Sequence, residues 1–311
     1  MLLPTKSHSH SRSLRTLPLW AGLALAVLLA ACRRAAPGQA EISGSFDHLQ
    51  QAQLYVYGEG TDFQRFDTIN VVQGDFHYAT PLSEPTVLTL MFPNFSETMF
   101  VAEPGVALTY EADAKHLLQA EVSGSEANDS LTAFRLRHAT EPLAAQRKAA
   151  EAYIRRRPAD MASVALFQKY FVRVETLQAE PTTALLALLC KALPRHNGLA
   201  ALRQRLAPQL RTATGAKAPA LLTKGGLPAA YVFTLGTQYE STQLLQEIRR
   251  QAEARGGVRV EEIKADDRDF DSLRNTYGLR YVPGCLLIDA KGRIAARDLP
   301  YEDVAAAVRK L

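Results

Sequence analysis

Cysteine is scarce in this chain of 311 residues: there are three, Cys32, Cys190 and Cys285. None has a second cysteine three positions away, so there is no Cys-x-x-Cys motif. Thiols this sparse exclude a fold stapled by disulfides, even in an oxidising compartment. Histidine is thinly spread as well. His8 and His10 stand in the first segment, and His77, His116, His138 and His196 have no partner at the spacing of a metal site or a catalytic triad. The expectation is that the chain holds no metal and no cofactor. Asp266 and Asp267 resemble a metal pair, but capping of the helix that follows accounts for them more simply.

An excess of charge of either sign is also missing. Lys6, Arg12 and Arg15 precede an almost wholly apolar stretch, Leu17 to Ala31, broken by Pro18 and Gly22. A comfortable membrane span needs roughly 20 apolar residues, so this stretch reads as a signal peptide over residues 1–31. Of the 36 basic residues those three leave with it, and 33 then face 32 acidic ones. A chain so close to neutral gives no reason to expect nucleic acid as a partner.

The signal closes with Leu29-Ala30-Ala31-Cys32, which resembles the lipobox of bacterial lipoproteins. That resemblance implies lipidation of Cys32 and a membrane anchor, with the protein facing the periplasm from the outer membrane. Residues 32–40, small, basic and containing Pro37 and Gly38, suit a tether. In such a bacterial protein Asn94-Phe95-Ser96 and Asn128-Asp129-Ser130 match a glycosylation sequon by chance.

From Glu41 the texture is that of short strands. Leu54–Tyr57, Phe66–Val71, Phe76–Tyr78, Val87–Phe92, Met99–Ala102 and Val106–Tyr110 are separated by Gly-, Asn- and Pro-containing turns, which predicts a β-sandwich or open barrel over 41–128. Ile42-Ser43-Gly44, Phe66-Asp67-Thr68, Gly74-Asp75-Phe76, Pro104-Gly105 and Gly124-Ser125 with Asn128-Asp129 resemble, in that order, the β-rich domain of unknown function DUF4369. In many lipoproteins that domain precedes a thioredoxin-like one.

A helical period takes over across 129–211. Val164, Phe167 and Phe171, then Leu185, Leu188 and Leu189, then Leu199, Leu202 and Leu206 recur at three- and four-residue steps. Pro142, Pro158, Pro181 and Pro194 divide this connector into four or five helices. Arg155-Arg156-Arg157 reads as a solvated helix end and Cys190 as buried packing.

Residues 212–311 follow the order β-α-β-α, proline, β-hairpin, helix. Ala229–Leu235 and Val258–Ile263 are strand candidates, and Leu244, Leu245, Ile248 and Ala252 line one helix face. A second helix stops at Gly278, Val282-Pro283-Gly284 follows, and Cys285–Ile288 turns back through Asp289–Gly292. This resembles the thioredoxin-like domain of thiol-disulfide oxidoreductases of the TlpA type. The resemblance implies a cis Val282–Pro283 bond beside the place where active relatives meet their substrates. It also implies two cysteines at the start of the helix that follows the first core strand, where Gln238 and Ser241 stand instead. Three readings remain open: a redox-inactive domain that binds an envelope protein or a peptide at Val282, Pro283 and Gly284, a thiol-disulfide or peroxiredoxin-like enzyme using Cys285, or a structural envelope protein in which this domain is a spacer. The expected fold class is α+β, in three parts.

Overall fold

The computed structural model describes residues 34–58, 65–219 and 226–311. The expected signal peptide and Cys32 lie outside the described residues.

Eight strands form the first part: β1 Gln39–Asp47, β2 Gln51–Gly58, β3 Phe66–Val72, β4 Asp75–Pro81, β5 Thr86–Met91, β6 Glu97–Ala102, β7 Ala107–Asp113 and β8 Glu121–Ser123. They make one sheet in the order β6-β5-β2-β3-β4-β1-β7-β8, antiparallel except where β1 runs parallel to β7. Between β3 and β4 only Val72 and Asp75 pair, and there the sheet folds over on itself. Alternation sends Ile42, Phe46, Leu54, Val56, Leu88, Phe100 and Tyr110 into one interior. The Phe46 ring meets Phe92 edge-on at 5.8 Å and Tyr110 at 5.4 Å, closing the two halves into a sandwich-like body. Gly44 makes room for the ring of Phe76, its partner on β4: a Cβ there would sit 2.1 Å from that ring.

The tether expected over residues 32–40 is shorter than its boundary suggested. Arg34 bridges to Val106, Ala35 is buried, and β1 begins at Gln39, with Ala40 already inside the core. The inward alternation simply starts before Glu41.

Five helices follow: α1 Glu126–His138, α2 Leu143–Arg156, α3 Met161–Phe167, α4 Ala179–Ala192 and α5 Asn197–Leu210. Every residue of α3 is buried. Around it α1, α2, α4 and α5 pack in one cluster that also takes Val87 and Val101 from the outer face of β5 and β6. The helices therefore share a core with the sheet, and the expected boundary at residue 128 cuts through α1. Ser125 caps α1, accepting from the Asn128 N–H at 3.4 Å. Asn128 itself is fully buried: its amide donates to the Val101 carbonyl at 2.8 Å and accepts from the Val101 N–H at 2.9 Å. It thus closes the outer edge of β6.

Pro142 and Pro194 bracket helices as expected, Pro208 lies unannounced inside α5, and the Glu180–Pro181 bond is cis. Arg155-Arg156-Arg157 ends α2, with Arg155 paired to Glu151 at 2.7 Å. Cys190 departs from the buried packing expected of it: it is half-buried on the seam between α4 and α5.

The last part contains β9 Ala229–Thr234, α6 Tyr239–Arg255, β10 Arg259–Lys264, α7 Phe270–Tyr277, β11 Gly284–Ile288, β12 Ile294–Arg297 and α8 Tyr301–Lys310. Its sheet runs β10-β9-β11-β12, with β9 and β10 parallel and the other neighbours antiparallel. Tyr231, Phe233, Leu286 and Ile288 face α7, while Val232, Cys285 and Leu287 face α6 and α8. A central parallel pair, an antiparallel hairpin and helices on both faces make the thioredoxin-like arrangement that the element order predicts. Asp267 does not cap α7; its carboxylate accepts from the Lys264 N–H at 2.7 Å and closes the turn after β10. Residues 215–218 lie along β12, with Gly215 N–H on Ile294 O at 2.7 Å and Ala218 N–H on Gly292 O at 2.8 Å.

Candidate functional site

Two segments marked in the sequence meet at one end of the C-terminal sheet. Gly284 pairs with Phe233, next to the last residue of β9, so the Val282–Pro283 step lies beside the loop that leads from β9 into α6. The Val282–Pro283 bond is cis. α7 stops at Gly278 in the left-handed conformation, and Arg280 N–H donates to the Asp298 carboxylate at 3.1 Å. Gly284 has no alternative: a Cβ there would lie 2.6 Å from the Tyr281 carbonyl oxygen. Among the described residues, the N–H and C=O of Val282 make no hydrogen bond.

Gln238 is extended at the start of α6 and its side chain makes no capping bond. Ser241 is fully buried, and its hydroxyl accepts the Leu235 N–H at 3.0 Å. That bond fastens the loop from within instead of capping the helix, and it leaves the hydroxyl far from the role of a surface nucleophile. Two aromatic residues of these segments are exposed, Tyr239 at 71% and Tyr281 at 68%.

Cys285 sits one residue into β11 but points away from this end, into the cluster with Val304 and Val308. It is 2% exposed. Burial, with a smaller contribution from the Asp298 charge, pushes its thiol up to about 12. The features that make a cysteine reactive, a helix N-terminus or a neighbouring cation, are missing there. Among the described residues no group of three or more His, Cys, Asp or Glu gathers to hold a metal ion, and no helix is long and apolar enough to cross a membrane.

Sequence reasoning missed the clamp behind the loop. Arg297, 9% exposed, donates to Thr212 O at 2.6 Å, to Gly278 O at 2.7 Å and to the Asp298 carboxylate at 2.8 Å. Arg280 reaches the Glu175 carbonyl at 3.2 Å. A cavity of about 400 Å³ opens beside these groups, between the helices and the C-terminal sheet. The one available signal was a charged residue at the end of an otherwise apolar strand.

Residues 40–131, from β1 into α1, match the family model of a domain of unknown function, DUF4369. No curated protein matches the chain. Among solved structures, the thioredoxin domain of a thiol-disulfide oxidoreductase from Bacteroides vulgatus is similar at 18% identity, over 32% of this chain and 96% of that one, with a TM-score of 0.28. A thioredoxin-like protein from Bacteroides caccae is similar at 13% identity, over 54% of this chain and 77% of that one, with a TM-score of 0.35. The described structure thus sets a region similar to DUF4369 ahead of a helical layer and a thioredoxin-like domain.

Proposed function

We propose that this chain is an envelope lipoprotein, anchored through Cys32 and facing the periplasm, whose thioredoxin-like domain is redox-inactive and binds a protein or an extended peptide at Val282, Pro283 and Gly284. The observation that carries this reading is the unpaired Val282 peptide group at the end of the sheet. An extended chain laid alongside supplies the missing donor and acceptor, as in β-strand addition.

Magnitudes say what else is needed. Two added backbone hydrogen bonds contribute about 1–3 kcal/mol together, whereas micromolar affinity requires roughly 8 kcal/mol. The remainder falls to apolar and aromatic contacts, for which the exposed rings of Tyr239, at the start of α6, and Tyr281, next to Val282, are available. Support for the redox-inactive part is the pairing of Gln238 and buried Ser241 at the helix start with a Cys285 thiol held neutral by burial. In a dithiothreitol-driven insulin reduction assay the protein is expected to leave the uncatalysed rate unchanged. Catalysis that disappears on Cys285→Ala would overturn this reading.

A further inference from the structure

From Pro181 to Tyr239 the chain contains no aspartate or glutamate, yet it carries Lys191, Arg195, Arg203, Arg205, Arg211, Lys217 and Lys224. Most of that stretch is the α4–α5 hairpin, whose outer side holds a groove of about 630 Å³. Leu186, Ala187 and Cys190 from α4 and Ala207 and Leu210 from α5 form its apolar floor. Lys191, Arg203 and Arg211 stand at its rim, and none of these three forms an ion pair among the described residues.

The spacing explains the shape. Leu186 and Cys190 are four residues apart on α4, as are Arg203 and Ala207 on α5, so each helix offers one continuous stripe to the seam. Small side chains at Ala187 and Ala207 keep the seam open where larger ones would fill it. Ordinary surface helices intersperse both signs of charge; here three cations surround an apolar trough with no carboxylate to neutralise them. The volume lies in the range of small-molecule sites, roughly 300–1,000 Å³.

We infer that the α4–α5 groove is a binding site for a single-chain anionic amphiphile, with the acyl chain along the floor and the acidic headgroup among Lys191, Arg203 and Arg211. The apolar floor alone would accept any hydrocarbon. The unpaired cations select a ligand whose head is negative, because a head that stays in partial contact with water gains their attraction without a large desolvation cost. The site is separate from the Val282–Pro283 loop and stands whether or not that loop binds a peptide.

Cys190 supplies the readout. Over Arg34–Leu311, which contains all four buried clusters, it is the partly exposed thiol, while Cys285 is buried. The rate at which Cys190 reacts with a colorimetric disulfide reagent is followed as monomeric oleate is added. Oleate is expected to slow the reaction saturably, by roughly tenfold at about ten times its Kd. Oleyl alcohol, with the same chain and no charge, is expected to protect far less. A K191Q/R203Q/R211Q variant with unchanged circular dichroism is expected to lose the oleate protection, and Arg195→Gln to keep it. No protection by oleate, or equal protection by the alcohol, would overturn the assignment. So would binding to phosphatidylglycerol vesicles without protection by free oleate, which would make the hairpin a membrane-surface contact with no acyl site.

Discussion

Replacing Arg297 by Met removes the clamp behind the cis-proline loop while keeping the volume of the side chain. Four acceptors lose a donor: the Thr212 carbonyl at 2.6 Å and hydroxyl at 3.2 Å, the Gly278 carbonyl at 2.7 Å and the Asp298 carboxylate at 2.8 Å, which keeps only the Arg280 N–H. The side chains of Arg297 and Asp298 are 11% and 15% exposed, so the carboxylate is left nearly buried without its counter-charge. Breaking one partner of a buried pair costs about 3–5 kcal/mol. The adjoining cavity of about 400 Å³ lets water reach the freed groups, which pulls the expectation to the low end, about 3 kcal/mol. Against a total stability of roughly 5–15 kcal/mol this is a large fraction. Trp20 lies outside the described residues, so urea unfolding is best followed by far-ultraviolet circular dichroism on Arg34–Leu311. The midpoint should fall sharply with little change in slope. Arg297→Lys should recover less than half, since one ammonium cannot span the acceptors that the planar guanidinium reaches. A loss below about 1 kcal/mol for Arg297→Met would show that solvent replaces the clamp at little cost.

Gly284→Ala forces a Cβ to 2.6 Å from Tyr281 O unless the loop moves, so a loss of about 1–3 kcal/mol is expected in the same titration; an unchanged midpoint would mean that the close approach is relaxed at no cost. Asn128→Ala leaves the Val101 N–H and C=O unpaired at the buried edge of β6, at about 2–4 kcal/mol, and a change under 1 kcal/mol would rule out that role for the side chain. Burial pushes the phenols of Tyr78, Tyr110 and Tyr277 and the thiol of Cys285 up to about 12, from ordinary values of 10.0 and 9.0. The unfolded chain therefore releases these protons first, and stability present below pH 9 should decline steadily as pH rises from about 9 to 12. A urea midpoint that holds flat through pH 11 would contradict those shifts.

Much of the fold was legible because its signals are local. Alternation around Leu54, Val56, Ile69 and Val71 announces strands, the recurrence of Leu199, Leu202 and Leu206 announces α5, and Gly278 followed by Val282-Pro283 announces the entry to β11. What stayed hidden depends on partners far along the chain. Asn128 reads in sequence as part of a family-like motif and of a chance sequon, and only folding shows that it closes the edge 27 residues earlier. Arg297 reaches Thr212 across 85 residues, a contact that no periodicity announces. Ser241 was recognisable as a helix-start residue, but its bond runs backwards to Leu235. Cys190 has an apolar neighbourhood in sequence and half of one in space, because α5 covers only one side of it.

The cis-proline end is proposed to bind an extended partner without thiol chemistry. A photo-crosslinking amino acid at position 281, in the full-length protein in its native envelope, tests it most directly, with Phe66 on the β-rich part as the control position. Discrete adducts are expected from position 281, unchanged when Cys285→Ala is introduced and missing from position 66. No adduct at position 281, or one that requires Cys285, would contradict it.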